Sequence, residues 1–275
     1  MLQFSIVEQV ILAVFLLSGI AFFLYHLLLR LKIVLKGKSD FSVDELPKRI
    51  VRVFDEVILH KKVVSGDRKS AGILHALVMY GFIFFGLITI NHFGMAFGFP
   101  IFSESFRHTY FLIFGAPWAI LCTIGILGLA YRRFVIKPEA LGKFSSTSAL
   151  VSVFIVTLMT TYLIDELHIL SGAAEKFNWW LHSGVIGGFL FLIPQSKHMH
   201  LVLSPFNIFL RPFEVPNHGA IPIDMEASEE ELDNLLLDLS RLSKDQALDI
   251  FTCVECGRCT DCLLYTSDAA DESVR

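Results

Sequence analysis

The chain has 275 residues, 54% of them apolar and only 18% charged, with a mean hydropathy of +0.60. That is too apolar for a soluble domain of this length. The net charge of −4 says less than its distribution along the chain, and no nucleic-acid partner is expected. Five apolar stretches, roughly 7–29, 71–97, 109–131, 148–169 and 178–203, approach or exceed the ~20 residues needed to cross a bilayer. They are continuously apolar and do not alternate, so they predict helices rather than barrel strands. No signal-peptide cleavage pattern is visible, and the first stretch is read as a span. The segment 30–69 holds eleven Lys/Arg and the loop 132–143 holds four, against only Arg107 and Lys176 in the opposite loops. Positive-inside logic then places the N-terminus outside and the C-terminus in the cytoplasm. Trp179 and Trp180 begin the fifth stretch as an aromatic belt would.

Between the first two spans, Ile50, Val51, Val53, Phe54, Val57 and Ile58 alternate with charge and resemble an amphipathic helix; a solvated basic connector fits as well. After Arg211 the composition changes. Pro212, Pro216 and Pro222 mark a linker, and an acidic, Leu-rich helical segment leads to the cysteines. The expected division is a membrane domain over 1–211 with its amphipathic loop at 30–70, a linker and acidic helical segment at 212–250, and the start of an iron–sulfur domain at 251–261. The string 262–272 equals the translation of a transposase-type sequencing adapter. Residues 262–275 are therefore excluded from fold reasoning.

Five cysteines do not read as a disulfide framework, because three crowd into Cys253-Val254-Glu255-Cys256-Gly257-Arg258-Cys259 and Cys122 lies in an apolar run. The C-x2-C-x2-C spacing lets three thiolates wrap one [4Fe–4S] cluster, the fourth coming from elsewhere. Thiolates clustered for iron also imply a reducing compartment. The full run C-x2-C-x2-C-x3-C-P would put its next cysteine at 263, where this chain has Leu263. The adapter reading accounts for that departure, with the natural chain interrupted inside its motif. A zinc knuckle is the bland alternative, although zinc sites more often use separated pairs or Cys/His mixtures.

Polar side chains inside a membrane are costly and usually functional. His75 and His92 lie near opposite ends of the second span, ~25 Å apart at 1.5 Å per residue. His182 and His200 lie near opposite ends of the fifth. Because the two spans run antiparallel, His92 meets the level of His182 and His75 the level of His200. Imidazoles on both faces of a porphyrin give six-coordinate haem suited to electron transfer, so two pairs imply two b-type haems. A continuous helix from His182 to His200 makes five full turns and puts both on one face, which favours His200 over His198. Gly81, Gly86, Gly184, Gly187 and Gly188 would let macrocycles approach the backbone, or serve plain helix packing. The remaining histidines have blander readings: His26, His108 and His168 at helix ends, His60 and His218 in loops. Cys122 reads as core packing, and Lys197, Arg68 and Lys69 as lipid-facing cations.

Five spans with histidines on the second and fifth resemble the cytochrome b domain of the respiratory nitrate reductase gamma subunit. Pro194-Gln195-Ser196-Lys197-His198-Met199-His200, then Ser204-Pro205-Phe206-Asn207, resemble the end of that domain in membrane iron–sulfur oxidoreductases related to heterodisulfide reductase. Leu248-Asp249-Ile250-Phe251-Thr252-Cys253, running on to Cys259, resembles their first cluster motif. The resemblance implies an all-α transmembrane five-helix cytochrome b bundle followed by the beginning of a cytoplasmic ferredoxin-like domain. It implies haem iron held by His75, His92, His182 and His200. It also implies electron transfer between a soluble donor, such as an electron-transfer flavoprotein or a thiol/disulfide couple, and quinone or menaquinone in a bacterial or archaeal inner membrane. Two competing expectations are a haem anchor and relay subunit without quinone chemistry of its own, and a non-redox membrane transporter.

Overall fold

The structure, a computed structural model, describes residues 3–37, 43–65, 68–213 and 242–256. Cys259, the adapter-like segment 262–275, His218 and most of the expected linker lie outside the described residues. The described residues are mostly helical, with no strand among them. In chain order the helices are α1 (Ile6–Val34), α2 (Leu46–Val53), α3 (Lys61–Val64), α4 (Lys69–Ala96), α5 (Glu104–Tyr110), α6 (Ala116–Tyr131), α7 (Ser146–Glu166), α8 (Ala173–Leu192), α9 (His200–Leu210) and α10 (Lys244–Thr252).

Four helical stretches are long and apolar enough to cross a membrane: Ile6–Val34, Lys69–Ala96, Glu104–Ile136 and Ser146–Glu166. Each matches one of the first four expected spans, the second and fourth ending one and three residues earlier than expected. The third is α5 and α6 joined by a π turn at Phe111–Gly115 and extended by another at Arg132–Ile136. These helices carry large apolar side chains outward at helical spacing: Ile83, Leu87 and Ile90 on α4, and Ile120, Ile124 and Leu127 on α6. In water each side chain would forfeit up to about 1.5–3 kcal/mol of burial; in hydrocarbon it forfeits nothing. This exposure fits a membrane protein.

The fifth expected span is not one helix. α8 stops at Leu192, two 3₁₀ turns follow at Ile193–Gln195 and Lys197–Met199, and His200 opens α9. Pro194 removes a backbone donor where a helix would need one, and Ser196 is extended and caps the second turn by accepting from His198 N. The five-turn phase argument for His182 and His200 therefore does not hold.

The chain divides into two compact units, residues 1–20, 62–190 and 256–275 in the first and 21–61 and 191–255 in the second. In the first unit α4 packs along α6, and α6 along α7. Small residues permit the approach. A Cβ on Gly125 would stand 2.7 Å from the Leu74 carbonyl oxygen, and one on Gly81 would stand 2.9 Å from Cys122 Sγ. Cys122 is 1% exposed, the packing role expected for it. α8 joins its neighbours through long side chains: Phe15 lies on Gly187, Phe154 on Gly188, and Phe82 and Phe154 meet Phe189 edge to face.

In the second unit Val34, Met199, Leu203, Ala247 and Leu248 form the buried core, with Phe23, Leu27 and Phe251 packed on it. α10 starts with a capping box between Ser243 and Gln246 and is fixed to α9 by Asn207, which donates to Asp249 Oδ1 (2.8 Å) and Thr252 Oγ1 (2.7 Å). Arg49, 2% exposed, turns inward from α2 and donates to the carbonyls of Phe209 (2.7 Å) and Arg211 (3.2 Å), closing the end of α9. Arg52 reaches the same Arg211 carbonyl and lies over the Phe213 ring at 3.6 Å. Burial, then the neighbouring Arg211 charge, pulls Arg52 below its ordinary range, with Glu56 opposing.

Candidate functional site

In the first unit α4 and α8 bring His92 and His182 together, their ring centroids 5.0 Å apart and tilted by 54°. Each ring has a fixed surround. Thr161 Oγ1 lies 2.7 Å from His182 Nδ1 and 2.6 Å from the Thr157 carbonyl. A carbonyl only accepts, so the hydroxyl proton goes to Thr157, and the hydroxyl oxygen accepts from His182 Nδ1–H. That tautomer makes Nε2 the atom able to ligate a metal, as outer hydrogen bonds do for metal-bound histidines. His92 stacks on Trp179 (4.7 Å, 14°), and its Nε2 lies 2.9 Å from Ser183 Oγ, which is fully buried.

Neighbouring amides complete the frame. Asn178 Nδ2 donates to the Thr161 carbonyl at 2.9 Å, tying α8 to α7. Asn91 Oδ1 accepts from the backbone N–H of Ile101 (2.9 Å) and Phe102 (3.0 Å), fixing the chain that leaves α4. Trp179 is 5% exposed and packs with Leu12, Ala96 and Phe4. It is therefore a wall of this site, where the sequence reading placed it in an aromatic belt at the start of the fifth stretch. The same polar residues (Asn178, His182 and Ser183) dilute the apolar character of α8 and set it apart from the four apolar helices.

Two imidazoles meet here from two helices, a donor pair chemically able to hold a metal ion. His92 and His182 would be the residues to hold such an ion, and His92 Nε2 would first have to leave Ser183 Oγ. Of the five glycines, Gly81, Gly187 and Gly188 are occupied by Cys122, Phe15 and Phe154 and serve packing; Gly86 and Gly184 face open space.

The other expected ligands are dispersed. His75 lies on α4 in the first unit, half-buried, seventeen residues before His92 on the same unbroken helix. His200 belongs to the second unit, and its Nδ1 lies 2.9 Å from the Lys197 carbonyl, so this ring too carries its proton on Nδ1. His60, read from sequence as a loop residue, is buried in the second unit at φ 52° and donates from Nδ1 to the Val57 carbonyl at 2.7 Å. Its buried, left-handed placement left no sequence signal.

Cys253 caps the end of α10 and Cys256 follows three residues on; both are exposed free thiols, chemically suited to iron. Between them Glu255 turns the chain at φ 52° and pairs with Lys197 at 3.6 Å. Arg68 Nη1 donates to the Cys256 carbonyl at 2.7 Å, a contact the sequence did not announce. Among the described residues no three His, Cys, Asp or Glu side chains are gathered into a metal-binding set.

The chain is 30% identical over 272 residues to a Bacillus subtilis (strain 168) protein named probable iron-sulfur-binding oxidoreductase FadF, covering 87% of this chain and 37% of that protein. It is 23% identical over 300 residues to the EtfAB:quinone oxidoreductase of Syntrophomonas wolfei, covering 92% of this chain and 40% of that one. The relatives are oxidoreductases by name. The chain spans about two fifths of their length. No protein-family profile and no solved structure matches it.

Proposed function

We propose that the chain is the membrane part of an iron–sulfur oxidoreductase that moves electrons between a cytoplasmic donor and the quinone pool through b-type haems. In this reading α8 is the fifth helix of a cytochrome b bundle like that of the nitrate reductase gamma subunit, joined to an iron–sulfur domain of the heterodisulfide-reductase-related kind. His92 and His182 hold one haem, His75 and His200 the other, and Cys253, Cys256 and Cys259 hold three corners of a [4Fe–4S] cluster. The loop charges put the N-terminus outside and the cluster in the cytoplasm. An electron-transfer flavoprotein is the favoured soluble donor, since one relative is named for both that flavoprotein and quinone. Lipid surrounds the apolar helices.

The groups held here supply one-electron chemistry; the chain holds, orients and insulates them. Thr161 fixes the His182 ring, Trp179 braces His92, and Phe82, Phe154 and Phe189 keep water from the helix contacts around α8. The observation that carries the reading is the meeting of His92 and His182, with His182 Nδ1 held at the Thr161 hydroxyl, whose proton is taken by helix carbonyls.

The test is haem and iron per polypeptide on protein purified in detergent, with a reduced-minus-oxidised spectrum. Two low-spin b haems are expected, and His182→Ala should remove one. Absence of haem from cells well supplied with it would sink the reading. Reoxidation of the reduced haem by added quinone separates a quinone-reactive enzyme from a relay subunit.

A further inference from the structure

α2 is inside out for a helix in water. It runs on through a π turn at Phe54–Ile58, so residues 46–58 make one continuous rod. Seen down its axis, at about 100° per residue, Arg49, Arg52 and Glu56 share one side and Leu46, Ile50, Phe54 and Ile58 the opposite one. The charged side faces protein. Arg49 donates to the carbonyls of Asp44, Phe209 and Arg211, Arg52 donates to that of Arg211, and Glu56 accepts from Arg211 Nη2 at 2.7 Å. The apolar side faces out. Ile50 is 56% exposed where Arg49, its neighbour in sequence, is 2% exposed, and Leu46, Val51, Phe54 and Ile58 are exposed with it. The cations that suggested a solvated connector are turned inward or paired, Lys48 with Glu45 and Lys61 with Asp55. What remains on the outside is an apolar stripe about 20 Å long at 1.5 Å per residue.

The same unit holds the end of a membrane-length helix. Residues 21–34 of α1 belong to it, with Leu24, Tyr25 and Leu28 exposed on a helix long and apolar enough to cross a bilayer. α9 touches both helices. Its Leu203 packs with Val34, the last residue of α1, and its Phe209 carbonyl accepts from Arg49 of α2. α2 therefore lies within about 20 Å of the end of α1, two helix spacings of about 8–10 Å. We infer that the stripe of Leu46, Ile50, Phe54 and Ile58 lies in the bilayer surface, as an in-plane helix seated where headgroups meet acyl chains. Its occupant is phospholipid, because the stripe opens close to the apolar surface that α1 presents to lipid. The charged side is tied to protein rather than to headgroups, so the contact rests on apolar area and not on anionic lipid. The helix anchors to the leaflet the unit that carries α10 and Cys253. The inference rests on the membrane reading of the chain and on no cofactor.

The test adds a tryptophan to the full chain in phosphatidylcholine vesicles, by Phe54→Trp or, if that variant fails to fold, Ile50→Trp. Leu28→Trp on α1 is the reference. The emission gained over wild type is read with bromine atoms on the lipid acyl chains and with iodide in the water. The emission gained at position 54 is expected to shift to the blue, to be largely lost to bromolipid and to resist iodide. Bromines near the glycerol end should quench it most, since such helices sit about 5–10 Å into the headgroup and acyl boundary. Added phosphatidylglycerol should leave the loss unchanged; a loss that needs it overturns the inference. Quenching by iodide alone puts the stripe in water and overturns it too. Resistance to both quenchers means that protein, such as a second copy of the chain, covers the stripe, and overturns it as well. Leu28→Trp separates the two failures. Bromolipid quenching there, without quenching at position 54, removes the in-plane helix and keeps the membrane reading. Its absence at both positions removes the membrane reading beneath.

Discussion

At the scale of single residues, the clearest device is the Thr161 hydroxyl. Its proton is committed to the Thr157 carbonyl, so it can only accept from His182. Thr161→Val, nearly equal in shape, should weaken haem retention about 10- to 100-fold, the usual effect of losing an outer partner of a metal-bound histidine. Thr161→Ser should keep most of it, as read by haem transfer to an apo-acceptor. A second device is an omission. Tyr162, 5% exposed, buries its hydroxyl without a hydrogen-bond partner among the described residues, and that hydroxyl presses on Gly115. Tyr162→Phe should therefore be neutral or stabilising in detergent melts, because it removes a desolvated polar atom. Gly115→Ala should cost about 1–3 kcal/mol, and combining it with Tyr162→Phe should recover part of the loss. Neither feature was legible in the sequence. The histidines were, because an imidazole in an apolar run is conspicuous, whereas a threonine or a glycine there is ordinary until its neighbour is known.

At the scale of elements, the apolar runs predicted four spans to within a few residues, since length and hydropathy alone decide whether a helix can cross a bilayer. The fifth was misread as one helix because hydropathy does not register a break made by Pro194 and the extended Ser196. The consequence was a false phase relation between His182 and His200. Arg49 shows the converse. In the sequence it is one cation among many in a basic loop, yet it is buried and closes α9 through two carbonyls. Arg49→Gln should destabilise the protein by about 2–4 kcal/mol, from lost charge-assisted bonds and carbonyls left without a donor. Arg49→Lys should rescue little, because an ammonium cannot bond the α9 carbonyls and also replace the Nε bond to the Asp44 carbonyl. Thermal unfolding monitored by circular dichroism would measure both.

At the scale of the whole molecule, the surface is legible as lipid-facing because outward apolar residues recur at helical spacing on α4 and α6. The accessible thiols give a direct reading of orientation. Cys253 and Cys256 are exposed and Cys122 is buried. In sealed inside-out vesicles a membrane-impermeant maleimide should label Cys253 and Cys256, while right-side-out vesicles protect them. Cys122 should resist in both until the protein is denatured. Labelling from the opposite face would reverse the proposed topology.

The 28 residues of α4 carry both His75 and His92, with Arg68 at the N-cap. At 1.5 Å per residue the helix is about 42 Å long, against a hydrocarbon core of about 30 Å. A rod longer than its slab leans or protrudes, and thinner slabs demand more lean. Both histidine levels are rigidly spaced on that rod, so a change in acyl-chain length moves them together and swings the Arg68 end sideways. Bilayer thickness thereby sets the lean of α4 and, with it, the depth of both imidazoles at once.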